Sequence, residues 1–189
     1  MLEANSPTLA TCALRPSGIF GPGQDKLLVP GIVDRARKGK MRYIIGDGAN
    51  LFDWTYVGNV AQAHLLAAAA LSPGSRTAGQ AYFVTNQEPY PFWSMLGDLS
   101  AGLGYERPSV RLPAWLMMVL ALLATWVGGL LGVRSDLNPM RVRICCVQRT
   151  MRCDKAREQL GYVPQVGLQE GIRRTLDGFR HLAKDAKES

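Results

Sequence analysis

The chain has 189 residues, 47% of them hydrophobic, and 22 Lys and Arg against 15 Asp and Glu give a formal charge of +7. That length suits one domain and falls short of the roughly 250 residues ordinarily needed by an α/β oxidoreductase with both a nucleotide and a substrate site. The hydrophobic share excludes a disordered chain, and 20 Gly and 11 Pro without a period exclude collagen-like and low-complexity classes.

In chain order, 8–14 (TLATCAL) reads as a short buried strand running into the Gly/Pro loop 15–23, the place where an open α/β sheet puts ligand contacts. Leu28, Ile32, Val33 and Ala36 predict a helix over 27–38 with Gly39 as its C-cap. A strand over 42–45 closes on Gly46-Asp47-Gly48, and 54–57 is extended. Asn59 is expected to cap a helix over 60–71, whose six alanines suit close packing on a sheet. A strand over 81–85 follows, then a helix over 92–103 stopped by Gly104. Asp154 is expected to cap a short helix to Leu160. The last helix covers 168–183, with Ile172, Leu176, Phe179 and Ala183 on one face.

One segment departs from this soluble pattern. Residues 112–133 carry no charge and lie between Arg111 and Arg134. As one helix they would be about 33 Å long, against a hydrocarbon core of about 30 Å. Trp115 and Trp126 suit interfacial anchors. The alternative is a buried helix of a soluble core, but a chain this small cannot surround a helix that is apolar on every face. Gly128, Gly129 and Gly132 ease a break in its second half. The segment is therefore expected to touch membrane lipid, entering and leaving one face. The arginines at 134, 141, 143, 149 and 152 point to an anionic lipid surface rather than nucleic acid.

Other chemistries find little support. Cys12, Cys145, Cys146 and Cys153 form no Cys-x-x-Cys pair and the two histidines are remote from them, so no metal site is expected. Reduced thiols fit a cytosol-facing protein. His64 on its alanine-rich helix and His181 near a helix end are structural rather than general bases. The N-terminus lacks the basic and apolar regions of a signal peptide.

Several motifs occur together in a fixed order: Leu14-Arg15-Pro16 with Gly18-Ile19-Phe20-Gly21-Pro22, then Arg37-Lys38-Gly39-Lys40-Met41, then Asn86-Gln87-Glu88-Pro89 leading to Phe92-Trp93. Pro139-Met140-Arg141-Val142 and Leu160-Gly161-Tyr162-x-Pro164 follow. Over nearly its whole length the chain resembles the C-terminal half of an extended short-chain dehydrogenase of the 3β-hydroxysteroid dehydrogenase/isomerase family, most of all the branch acting on 4α-carboxysterols. The resemblance implies an α/β fold holding the last strands of a Rossmann-type sheet plus the substrate region, with one membrane-associated apolar helix. The expected division is 1–111 for the partial sheet and substrate region, 112–133 for the apolar segment and 134–189 for the C-terminal helical part.

By the same resemblance the cofactor is NAD or NADP, with Pro16, Ser17, Gly18 and Ile19 beside the nicotinamide. The substrate is a sterol or steroid, framed by Phe52, Asp53, Tyr56, Phe92 and Trp93. The family's Gly-rich phosphate turn after a first strand and its Tyr-x-x-x-Lys pair have no counterpart: none of the six tyrosines has a lysine four positions on. No catalytic residue is therefore assigned, the chain is expected to start a few residues past that pair, and alone it is expected to be inactive. Two readings remain: part of a sterol dehydrogenase of the endoplasmic reticulum with its fold on the cytosolic face, or a non-catalytic membrane-associated scaffold derived from one. The oligomeric state is left open.

Overall fold

The computed structural model describes residues 2–23, 27–133 and 137–187. In chain order the strands and helices are β1 (Ala13–Pro16), β2 (Ile19–Phe20), α1 (Leu28–Arg37), β3 (Tyr43–Ile45), β4 (Leu51–Phe52), β5 (Thr55–Tyr56), α2 (Val57–Ala70), β6 (Ala81–Val84), β7 (Tyr90–Pro91), α3 (Phe92–Gly102), β8 (Val110–Leu112), α4 (Ala114–Leu131), α5 (Pro139–Cys146), α6 (Asp154–Leu160) and α7 (Leu168–Gly178). They fall into two interleaved units. One comprises Met1–Asp25, Asp53–Pro89 and Thr150–Phe179, the other Lys26–Phe52, Tyr90–Arg149 and Arg180–Ser189.

In the first unit β1 and β6 run parallel, Ala13 opposite Ala81 and Pro16 opposite Val84, and β2 runs parallel to β5. The alanines of α2 allow the helix to approach this sheet closely. Ala63 and Ala67 are buried in a cluster with Tyr82 and Val84 of β6, Ala156 and Leu160 of α6, and Tyr162. Gly161, at φ 66°, ends α6 and turns the chain so that Tyr162 enters that core. Gly21 is required by clearance: a Cβ there would lie 2.3 Å from Val57 Cγ1.

Three boundaries differ from the sequence expectation. The strand placed at 8–14 begins at Ala13 and runs to Pro16, because its partner β6 begins only at Ala81; Leu9 is 53% exposed. Asp154 is not a cap but the first helical residue, after Cys153, and its carboxylate pairs with Arg152 (2.7 Å) and Arg157 (3.0 Å). The last helix stops at Gly178, with a short 3-10 turn at Arg180–Leu182. Gly178 lies so close to Pro22 that a Cβ on it would meet the proline at 2.6 Å.

In the second unit β3 runs parallel to β8, and β4 pairs antiparallel with β7. Helix α1 ends as expected at Gly39, with φ 66°. The apolar segment forms one continuous helix, α4, shorter than its uncharged run: β8 takes Leu112, Pro113 stands at the N-cap position, and Gly132, at φ 67°, ends it. The break eased by Gly128 and Gly129 does not occur, since the helix passes through both. Its 18 residues have a mean hydropathy of 2.1 and only Ala121 is buried. By length and composition α4 is able to cross a membrane. Asn138 caps α5, its side chain accepting from Arg141 N at 3.0 Å, with Pro139 in the first turn.

Candidate functional site

Within the first unit the loop after β1 is stitched to β5 and β6. Ser17 N donates to Val84 O at 3.2 Å, and Thr55 N donates to Gly18 O at 3.1 Å. The Thr55 hydroxyl lies against both Ser17 O and Val84 O. Gly18 has φ 42°, a left-handed conformation that glycine adopts without strain. Ser17 is fully buried, and its hydroxyl has no hydrogen-bond partner among the described residues. Ile19 is half exposed beside it. Pro16, Ser17, Gly18 and Ile19 thus form a fixed turn at the carboxyl end of a parallel strand, holding one polar atom whose bonding is unmet.

Asp53 and Tyr56 belong to the same unit and both are buried. Tyr56 packs edge-on against Phe20, with centroids 5.8 Å apart. The Asp53 carboxylate accepts from Met151 N, while burial pushes its pKa above the usual carboxylate range. Because its folded pKa lies above the unfolded one, the stabilising form is the protonated one: that contribution is complete below the unfolded pKa and is lost as pH rises through the folded pKa. Asp53→Asn keeps the acceptor and removes the charge. The variant should gain stability relative to the parent as pH is raised from about 4 to 7. Urea unfolding midpoints of the two proteins across that range check this, and a constant difference would refute it.

Around these residues lies a polar network that sequence reasoning missed. Asn59, expected as a cap, lies inside α2, which starts two residues earlier, and is 1% exposed. Its Oδ1 accepts from Gln165 N and Val166 N at 3.1 Å each, and its Nδ2 donates to Asn86 Oδ1 and Val166 O at 2.8 Å. Asn86 Oδ1 also accepts from Tyr56 N at 3.0 Å, and Asn86 Nδ2 donates to Val166 O at 2.9 Å. Glu88 accepts from Leu168 N at 3.0 Å, at the start of α7. The Tyr162 hydroxyl donates to Thr85 O at 3.0 Å, and burial raises its pKa, so it serves the core rather than proton transfer. Asn86 and Glu88 stood in a quoted motif, but nothing local in the sequence marks Asn59 as their partner.

Phe52, Phe92 and Trp93 come together in the second unit. Phe52 packs edge-on against Phe92 at 5.7 Å, Phe92 against Trp93 at 5.6 Å, and the Arg149 guanidinium sits 5.5 Å over the Phe52 ring. Trp93 Nε1 donates to Cys145 O at 3.1 Å. Trp93, with Ile44, Gly48, Pro108, Arg107 and Arg111, lines a cavity of about 190 Å³. A larger cavity of about 510 Å³, lined by Arg37, Met41, Arg42, Tyr105 and Lys184 among others, contains none of the residues expected at a site. Among the described residues no group of three or more His, Cys, Asp or Glu is placed to hold a metal. The four cysteines are free, and burial raises every thiol, that of Cys145 to about 11, which disfavours the nucleophilic thiolate.

Parallel strands joined through a packed helix, with a glycine turn at the carboxyl end of one of them, define part of an open α/β nucleotide-binding fold. The profile of the 3-beta hydroxysteroid dehydrogenase/isomerase family matches residues 1–114. The chain is 53% identical to 3beta-hydroxysteroid-dehydrogenase/decarboxylase isoform 2 of Arabidopsis thaliana, over 96% of this chain and 34% of that protein. It is 42% identical to the mouse sterol-4-alpha-carboxylate 3-dehydrogenase, decarboxylating, over 98% of this chain and 52% of that protein. Among solved structures, DesIV (dTDP-glucose 4,6-dehydratase) from Streptomyces venezuelae, with NAD and TYD bound, superposes with a TM-score of 0.60 at 21% identity, over 95% of this chain and 46% of that one. The chain belongs to the 3-beta hydroxysteroid dehydrogenase/isomerase family. It spans about a third to a half of the length of these curated relatives.

Proposed function

We propose that this chain supplies the substrate-side part of an NAD(P)-dependent oxidoreductase that oxidises the 3β-hydroxyl of a sterol, with a 4α-carboxysterol as the substrate nearest to the named relatives. The observation that carries the reading is the 40–53% identity to sterol dehydrogenase/decarboxylases along nearly the whole chain. The fixed glycine turn at the carboxyl end of β1, with Ile19 half exposed on it, fits the place of a cofactor edge in such a sheet. Pro16, Ser17, Gly18 and Ile19 would hold that edge, and NAD(P)+, when bound, would accept the hydride leaving sterol C3. The hydroxyl proton passes to solvent water in the same oxidation. The resulting 3-ketone lies β to the carboxylate, so carbon dioxide would leave while the bonding electrons stay on the sterol, delocalised onto the ketone oxygen, and a proton from water would then restore the ketone. For the chain's own part, the turn at 16–19 orients the cofactor edge, Phe52, Phe92 and Trp93 of the second unit offer apolar rings to a flat ligand, Tyr56 offers one in the first unit, and Asp53 fixes the backbone at Met151.

In the same reading α4 attaches the protein to the endoplasmic reticulum, with the fold on the cytosolic side, so that sterol reaches the enzyme from lipid. A three-part division, with 112–133 as the lipid-contacting segment, follows from it. The second reading, a membrane-associated scaffold, draws on the absence of Tyr-x-x-x-Lys from these 189 residues. Equilibrium binding in detergent separates the two. A 3β-hydroxysterol should bind saturably, and Ser17→Val should weaken NAD binding while leaving sterol binding unchanged. No reduced cofactor should form above a heat-inactivated control. Failure to bind both sterol and nicotinamide cofactor would overturn the dehydrogenase reading in favour of the scaffold.

A further inference from the structure

Helix α4 is divided by side-chain size rather than polarity. At 100° per residue Ala114, Met117, Ala121, Ala124 and Gly128 fall within about 80° of one another, forming a seam of small and flexible residues. Every one of them is buried or half-buried. Trp115, Val119, Leu122, Leu123, Trp126 and Leu130 fall within about 100° on the opposite side. These six are 46–69% exposed. The fold therefore takes the place of the polar face that a helix lying on a membrane ordinarily has.

Two further observations fix the orientation. Trp115 and Trp126 are the most exposed large residues in the first four turns of α4, at 69% and 68%. Eleven residues separate them, about three turns and about 16 Å, so they share one face. Upright in a bilayer, one would lie in the interface and the other near the middle of an apolar core of about 30 Å, where an indole N–H finds no partner. Lying flat, both rest at interfacial depth. Second, the excursion returns to its starting point. A Cβ on Gly46, at the end of β3, would lie 3.3 Å from Cys146 Sγ and 4.0 Å from Ala114 Cβ. The first residue of α4 and the last of α5 thus meet at one turn, and Cys146 Sγ contacts Ile45 O at 3.5 Å. Arg111, just before α4, and Arg141 and Arg143, on α5, are exposed near that return, where anionic headgroups complement them.

We propose that α4 lies in the plane of a single phospholipid leaflet, its bulky face toward the acyl chains and Trp115 and Trp126 at one depth, with both ends of the α4–α5 excursion on the same side. This rests on the membrane attachment proposed above and specifies its geometry.

The test uses the full chain in phosphatidylcholine/phosphatidylserine vesicles whose acyl chains carry bromine either near the glycerol or near the bilayer centre. Trp115→Phe leaves Trp126 as the lipid-facing reporter and Trp126→Phe leaves Trp115; the double variant gives the background from Trp54 and Trp93, which are 3% and 8% exposed. Both reporters should be quenched more strongly by the shallow bromines, with the same shallow-to-deep ratio. One shallow and one deep tryptophan would overturn the flat orientation while leaving membrane attachment intact. Chain that stays in the supernatant would remove the attachment itself. Vesicle-bound chain with neither tryptophan quenched would show that a second copy, not lipid, covers the face.

Discussion

Asn59→Ala should cost the protein about 3 kcal/mol, a large share of the 5–15 kcal/mol that holds a typical domain together. The side chain, itself buried, closes four hydrogen bonds: two backbone N–H groups at 165 and 166 donate to it, and it donates to Asn86 and to Val166 O. Alanine suits the helix better but leaves the part-buried donors at 165 and 166 without their acceptor and strips Asn86 and Val166 O of a donor, each loss costing about 1 kcal/mol. The same groups tie the end of β5, the segment after β6 and the approach to α7, so the loss should extend to the turn at Ser17 through Thr55. Asn59→Asp should not rescue it. It keeps the two acceptor contacts but turns a carboxylate oxygen toward Asn86 Oδ1 and Val166 O, which are acceptors themselves. The measurement is the urea midpoint in detergent, with His64→Ala on the exposed side of the same helix as reference, expected to fall within about 0.5 kcal/mol of the parent. An Asn59→Ala midpoint matching that reference would show the network to be dispensable.

Asn59 also marks where the sequence stops being legible. An asparagine ahead of an alanine-rich run has the composition of a cap, and a cap is a local matter. What decides its role is Asn86, 27 residues on, and the backbone at 165–166, none of which is visible from its neighbours. The same holds for the last helix: its apolar spacing runs on to Ala183, but Gly178 meets Pro22 across the fold and the helix ends there. Elements set by nearby residues were readable. Gly39 and Gly104 end their helices because glycine takes the left-handed turn, and β6 was evident from Ala81-Tyr82-Phe83-Val84. The site divides in the same way. The loop at 16–19 could be located as a strand end, whereas the unmet bond of Ser17 depends on which groups Thr55 and Val84 already occupy. Helix α4 was the most legible element, since 22 uncharged residues in a chain of this size cannot all be enclosed.

Placing aspartate at both Leu122 and Leu123 should release the chain from vesicles, lowering its partition coefficient at least 100-fold. Both leucines are more than half exposed on the bulky side of α4, 55% and 54%, and neither contributes to the seam through which the helix meets the fold. Burying one leucine side chain contributes about 1.5–3 kcal/mol, and every 1.4 kcal/mol is tenfold in a partition coefficient. Losing two therefore accounts for the change before the cost of bringing two carboxylates toward hydrocarbon is counted. Leu122→Ala with Leu123→Ala should fall between the parent and the aspartate pair, since it removes apolar area without adding charge. Co-sedimentation with phosphatidylcholine vesicles gives the partition coefficients. Far-ultraviolet circular dichroism should show α4 retained in the aspartate variant, because the substituted positions face away from the covered seam. Equal sedimentation of the parent and the aspartate pair would mean that some other part of the chain holds the membrane, and the exposed half of α4 would then need a protein partner to cover it.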